Sequence, residues 1–150
     1  MKLPKPVREQ FRAYGREGGR KRAAQMSPEA RQVVARMAAI RRWIQVRFGA
    51  PGFEVLGLPG GRAVDGGLAA LAYGRESIES LMVSLAAPRL RREGVPLPQN
   101  VIADADVRLY RLLERQGVEL AHARYLACLR EMASFADACV GARVNLDHHA

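Results

Sequence analysis

Threonine is absent from these 150 residues, and lysine appears three times against 21 arginines. With abundant alanine and glycine, that bias is what a GC-rich coding sequence imposes, so no arginine carries functional weight by its type alone. Cysteine is scarce too. Cys128 and Cys139 are eleven residues apart, which on one helix means one face but about 16 Å along the axis. A disulfide needs Cα atoms within about 7 Å, so the expectation is two buried thiols in a reducing compartment. No apolar run approaches the ~20 residues that span a bilayer, and Met1–Arg8 lack the hydrophobic stretch of a secretion signal. A cytoplasmic protein without a membrane partner is expected.

Acidic residues are the most telling shortage, because they are missing from only one part of the chain. The first fifty residues hold 13 Lys/Arg and three Asp/Glu, and the remaining hundred hold 11 and 12. The net charge of +9 is therefore +10 on one side of a boundary and −1 on the other. Coding bias does not explain why only the later arginines are balanced by acids. A charge that stops at a boundary points to a polyanionic partner for the first segment, with nucleic acid ahead of an anionic membrane.

Within that segment, Pro6–Tyr14 reads as a short helix or an ordered arm. Gly15, Gly18 and Gly19 weaken helix, and Arg20–Met26 favours it. Ser27-Pro28-Glu29 is a helix start: a capping hydroxyl, a proline where its missing N–H is harmless, and an acid at the positive end of the dipole. Nothing then breaks the helix before Phe48. Val33, Met37, Ile40 and Ile44 form its apolar stripe, with Val34 and Phe48 at one edge. Arg31, Ala35, Ala38, Ala39 and Arg42 lie opposite, where small residues between arginines would admit a phosphate backbone. Arg36, Trp43 and Arg47 line another flank, where a guanidinium could lie over the indole.

The runs Gly18-Gly19-Arg20-Lys21-Arg22-Ala23, Met26-Ser27-Pro28-Glu29-Ala30-Arg31 and Ala35-Arg36-Met37-Ala38-Ala39-Ile40-Arg41-Arg42-Trp43 resemble a motif common in small bacterial proteins. Its pattern is a Gly-Gly basic stretch, a Leu-Ser/Thr-Pro-Glu turn and a helix ending Ala-Arg-x-Ala-Ala-x-x-Arg-Trp. The first part is similar to the Lys-Gly-Gly motif of bacterial stress-induced proteins. This chain has Arg-Glu-Gly-Gly for Lys-Gly-Gly and Met26 where leucine is commoner. The resemblance covers residues 15–43 and implies a basic two-helix unit, for which a DNA-binding role is suspected. As a helix–turn–helix the segment would offer only Gln32 as a base reader, with Arg31 nearby. Backbone contact through Arg16, Arg20, Lys21, Arg22, Arg31 and Arg42 is the better reading.

Gly49-Ala50-Pro51-Gly52 marks the boundary, dividing a basic helical segment (1–50) from a second module (51–150). Phe53–Leu58 and Arg62–Asp65 flank Pro59-Gly60-Gly61, which reads as a short β-hairpin. The glycine pair lacks the Gly-Lys-Ser/Thr of a phosphate-binding loop. Leu68–Tyr73 is expected as a short helix ended by Gly74. Another starts near Ser77, with Ile78, Met82 and Leu85 on one face, and is kinked or ended by Pro88. Arg89, Arg91 and Arg92 then read as a solvated helix end, and Val95–Pro98 as an extended connector. Helices over Asp104–Gln116 and from Val118 to about Val140 complete the pattern, the last with Val118, Tyr125, Leu129, Met132 and Ala136 in a stripe. Arg143–Ala150 is expected as a loose tail. The fold class is mainly α: a small helical bundle of three or four helices with one short β-hairpin, preceded by a basic two-helix segment.

Catalytic patterns are thin. Arg115 and His122, six residues between, resemble the Arg–His pair of HEPN-type ribonucleases, in which both side chains act on the scissile phosphate. Gly117 interrupts the helix between them, and Gln116 follows the arginine. His122 falls beside Tyr125 and Leu129, so it is expected to be a buried, hydrogen-bonded histidine. His148 and His149 are joined only by Asp147 and form no metal-ligand set. Asp104 and Asp106 read as helix-start acids. The sequence therefore predicts no metal, no cofactor and no catalytic residues. It predicts a non-enzymatic, nucleic-acid-associated accessory or regulatory protein, with DNA ahead of RNA. Residues 51–150 would serve a protein partner, as in an antitoxin, or self-association. The alternatives are a small ribonuclease and a pure protein–protein interaction module.

Overall fold

The computed structural model describes residues 4–147, with side chains to residue 142. Six helices follow in order: α1 (Lys5–Ala24), α2 (Pro28–Phe48), α3 (Gly61–Ala72), α4 (Ile78–Arg92), α5 (Ala105–Gln116) and α6 (Val118–Asp147). His148 and His149 lie outside the described residues. The chain packs as two units, residues Met1–Ala35 and Arg36–Ala150, divided inside α2.

In the first unit, α1 runs unbroken through Gly15, Gly18 and Gly19, and none of its residues is buried. Ser27 then opens α2, its hydroxyl accepting from the N–H of Ala30 at 3.1 Å. That is the capping role its sequence position implies.

The second unit holds the core. Its helical order begins with the buried Ile40, Ile44 and Phe48 of α2, half of the stripe read from the sequence. α3 packs on α4, which also contacts α5 and α6, and α5 and α6 pack together. α4 is thus the central element, and Leu81, Val83 and Leu90 on it are fully buried. Ser77 caps it through a reciprocal box: Ser80 N–H donates to the Ser77 hydroxyl (3.1 Å) and Ser77 N–H to the Ser80 hydroxyl (2.8 Å). Pro88 does not end α4. It sits exposed, and the helix continues to Arg92 because Ala87 and Leu90 on either side are both buried.

There is no β-hairpin, and no strand among the described residues. Residues 53–57 form turns, and Gly61–Asp65 is already helix. Val64, Leu68 and Leu71 are buried at helical spacing, which overrides the turn reading of Pro59-Gly60-Gly61. Asp65 bends the preceding loop back over α3, its carboxylate accepting from the N–H groups of Phe53 (3.1 Å) and Glu54 (2.9 Å). Those donors have no strand partner because the aspartate takes them. Gly60, at φ 72°, starts α3 close to α6, where a Cβ would meet Glu131 Cγ at 3.0 Å.

The connector before α5 is held by side chains. Ser84 accepts from Ile102 N–H at 3.0 Å, and Asn100 donates to the Leu71 carbonyl at 2.7 Å. α6 outlasts its expected end: the backbone is helical through Asp147, where a loose tail from Arg143 was expected. Cys128 and Cys139 form no disulfide; Cys139 is buried and Cys128 half-buried.

Gly67 sits where α3 meets α4, and a Cβ there would lie 2.5 Å from both Glu79 O and Val83 Cγ2. Gly67→Ala is expected to lower stability by about 1–3 kcal/mol. At roughly 2–4 °C per kcal/mol for a chain of this size, thermal denaturation would show it. Gly18→Ala, with open space around it, should instead raise the far-UV helical signal.

Candidate nucleic-acid interface

Lys5–Ala24 carries seven Lys/Arg and two Glu. On a helix advancing about 100° per residue, Arg8, Arg12, Arg16 and Arg20 fall on one stripe roughly 120° wide and about 18 Å long. All four are exposed. Arg16 Nε donates to the Arg12 carbonyl at 3.3 Å, which holds it along the axis. The other two α1 positions singled out from the sequence do not share the stripe. Lys21 projects away from it and pairs with Glu17 at 2.9 Å, and Arg22 falls just outside its edge, about 40° from Arg8.

Arg31 is exposed near the start of α2, in the same unit. Arg42 is exposed on the later part of α2 and belongs to the second unit. Among the described residues, ion pairs engage Lys21, Arg89 and Arg108. None engages Arg8, Arg12, Arg16, Arg20, Arg22, Arg31 or Arg42. Arg8 and Arg12 do not stand out in the sequence because the glycines at 15, 18 and 19 separate Pro6–Tyr14 from Arg20–Met26. The four-residue spacing of arginines from 8 to 20 was the signal, and it becomes legible once the glycines are placed in helix.

The stripe strains its own helix. Three like-charge pairs at i,i+4 each cost about 0.2–0.5 kcal/mol, and each glycine costs about 1 kcal/mol relative to alanine. With no buried face on α1 to offset this, an anion laid along the stripe would turn the repulsion into attraction. At the start of α2, Glu29 supplies the one anion. Its own backbone N–H, then the Ser27 hydroxyl, hold its carboxyl below the usual glutamate range.

Two arginines of the second unit are used differently. Arg89 pairs with Asp137 and Arg108 with Glu76, so the expected solvated cluster at the end of α4 is partly engaged. Trp43 does not stack on Arg36 or Arg47. Its ring lies 6.1 Å from that of Phe48, and it is half-buried beside Gly94.

His122 is not buried. It is exposed on α6, its ring 6.4 Å from that of Tyr110. Gly117, at φ 155°, breaks the chain between α5 and α6, and the new helix turns Ala121 into the core and His122 to the rim. An open cleft there is lined by Asp106, Tyr110, Arg111, Glu114, His122 and Tyr125. Arg115 is exposed and does not line it. The cation the cleft offers is Arg111, flanked by two carboxylates, which is an unfavourable setting for a phosphate. Among the described residues, no cluster of His, Cys, Asp and Glu is placed to hold a metal ion. No helix among them is long and apolar enough to cross a membrane.

No protein-family model matches this chain, and neither a curated protein nor a solved structure matches it.

Two titrations follow from this geometry. NMR of the carboxyl groups should place Glu29 below an ordinary glutamate, and Ser27→Ala should move it part of the way back. Because the folded value is lowered, the contribution to the first turn of α2 is present above the unfolded pKa. It is lost as pH falls through the folded one. Burial first, then Glu131, pushes the Cys128 thiol up. Its alkylation at neutral pH should be slower in the native protein than after denaturation, since the thiolate is the nucleophile.

Proposed function

We propose that this protein is a non-enzymatic nucleic-acid-associated accessory or regulatory protein that grips the phosphate backbone through its basic first third. The observation that carries the reading is the exposed arginine stripe of α1, which has no acidic partner and no buried face. Phosphates supply what the stripe lacks, and such contacts position a protein without reading sequence. Arg8 and Arg12 join Arg16, Arg20, Lys21, Arg22, Arg31 and Arg42 as the contacting set. DNA is placed ahead of RNA by the resemblance over residues 15–43. The helical remainder serves a protein partner or a second copy, and the site of action is the cytoplasm. The ribonuclease alternative is weakened because Arg115 stands outside the cleft that holds His122.

The test is fluorescence anisotropy of the full chain with labelled nucleic acid across a salt series. About five neutralised phosphates give log K against log salt a slope near −4 to −5. Arg16→Ala with Arg20→Ala should make that slope shallower by about two and weaken binding across sequences. Arg111→Ala with Arg115→Ala, on the acid-balanced α5, should leave it unchanged. RNA incubated with the protein should stay intact whether or not His122 is replaced by alanine. No binding at moderate salt would refute the proposal.

A further inference from the structure

Besides its basic stripe, α1 exposes a second face that phosphates alone leave unexplained. Val7, Phe11, Tyr14 and Gly18 follow at spacings of four, three and four residues, within roughly 60° of the helix circumference. Phe11 is 65% exposed and Tyr14 70% exposed. Neither ring takes part in a ring contact among the described residues. Exposed aromatic side chains on a helix with no buried residue contribute nothing to a core, and in water they are a liability.

The glycines make these rings unusual. A long side chain on a helix leans toward the N-terminus, so the residue four places on leans over the ring before it. Four places after Phe11 stands Gly15, and four places after Tyr14 stands Gly18. Open space surrounds the Cβ position at both. Each ring therefore has one face with no side chain of the next turn laid over it. Cations border this strip. Arg8 and Arg22 stand on one flank and Lys21 on the other, by the same 100° advance.

We infer that the polyanion taken by α1 is single-stranded nucleic acid, with bases stacking on Phe11 and Tyr14 while phosphates follow the bordering arginines. The inference rests on the phosphate-binding reading above and narrows it. A duplex keeps its bases stacked inside and offers the helix phosphates and groove edges, which leaves both rings unused. A single strand presents a flat apolar face and a charge at every nucleotide, so it satisfies both surfaces together. A second copy of the chain would bring its own α1 with the same excess of cations, so charge opposes self-pairing of this helix. An anionic bilayer suits the charge, but the face offers only Val7, Phe11 and Tyr14 over five turns, little for insertion among acyl chains. Stacking tolerates any base, so weak sequence preference and strong salt dependence belong to the same picture.

The experiment compares the full chain on three labelled probes at one salt concentration. These are an unstructured pyrimidine-rich single strand (as DNA and as RNA), a duplex of the same length, and vesicles containing anionic lipid. The single strand should bind tighter than the duplex. Phe11→Ala with Tyr14→Ala should weaken single-strand binding about tenfold or more, from the usual worth of one base stacked per ring. Duplex binding should stay as it was. Phe11→Tyr with Tyr14→Phe keeps both rings and should retain the preference. Alanine favours helix, and far-UV circular dichroism will show that the double variant keeps it. Equal affinity for single strand and duplex, with no loss in the double alanine variant, would overturn the inference and leave the phosphate reading intact. Binding to vesicles that depends on the two rings, with no nucleic acid bound, would overturn both.

Discussion

Phe53 is the residue on which the second unit depends. It is fully buried, its ring 5.3 Å from that of Phe48 and 5.0 Å from that of Phe135, both nearly edge-on. One side chain thus joins the end of α2, the loop before α3 and the middle of α6. Each such aromatic pair is worth about 0.5–1.5 kcal/mol beyond the area it buries. The loop could not deliver Phe53 to that position without its backbone donors satisfied, and Asp65 satisfies two of them. Gly61 completes the arrangement: a Cβ there would lie 2.5 Å from the Phe53 carbonyl oxygen. The ring stack, the aspartate and the glycine are three parts of one constraint.

Against that ordered centre, the two units divide the labour of the chain. Arg36–Ala150 has a continuous core running from Ile40 to Cys139, and from residue 51 onward its 11 arginines face 12 acids. Met1–Ala35 has α1, which buries nothing, and an excess of cations. Core packing explains the helical order of the first design. It explains nothing about the second, whose side chains make chemical sense only with something else present. This contrast, more than the number of arginines, is what turns a composition bias into a functional argument.

The same contrast bears on chemistry. The cleft of the second unit that contains His122 sets Arg111 among carboxylates. A phosphate approaching it meets Asp106 and Glu114 as well as the guanidinium. On α1, Glu9 and Glu17 border the arginine stripe as well, but four arginines outnumber them there. The balance of charge therefore separates the two candidate sites more clearly than the presence of a histidine does.

Much of this was legible in the sequence, and what was legible is local. Ser27-Pro28 opening α2, Ser77 capping α4, and Gly117 parting α5 from α6 each depend on residues within one turn of the event. The apolar spacing of α2 and α6 and the charge asymmetry at residue 50 are likewise properties of the chain alone. The tertiary structure decided the rest. Residues 53–65 read as a hairpin because the pairing of Asp65 with Phe53 and Glu54 cannot be inferred from spacing, nor can the approach of Gly60 to Glu131. Helix α4 passes Pro88 because the core holds the residues around it. His122 lies at the rim because the face of α6 turned to the core is that of Ala121, Met132, Phe135 and Cys139. Tyr125 and Leu129, the neighbours from which burial was expected, stand half-buried at its edge. The candidate interface divides the same way. Its charge was written in the sequence, but the four-arginine stripe and the bare rings of Phe11 and Tyr14 exist only once Gly15, Gly18 and Gly19 are held in helix. Local chemistry sets where elements begin and what they carry, and long-range packing sets which of their faces remain free.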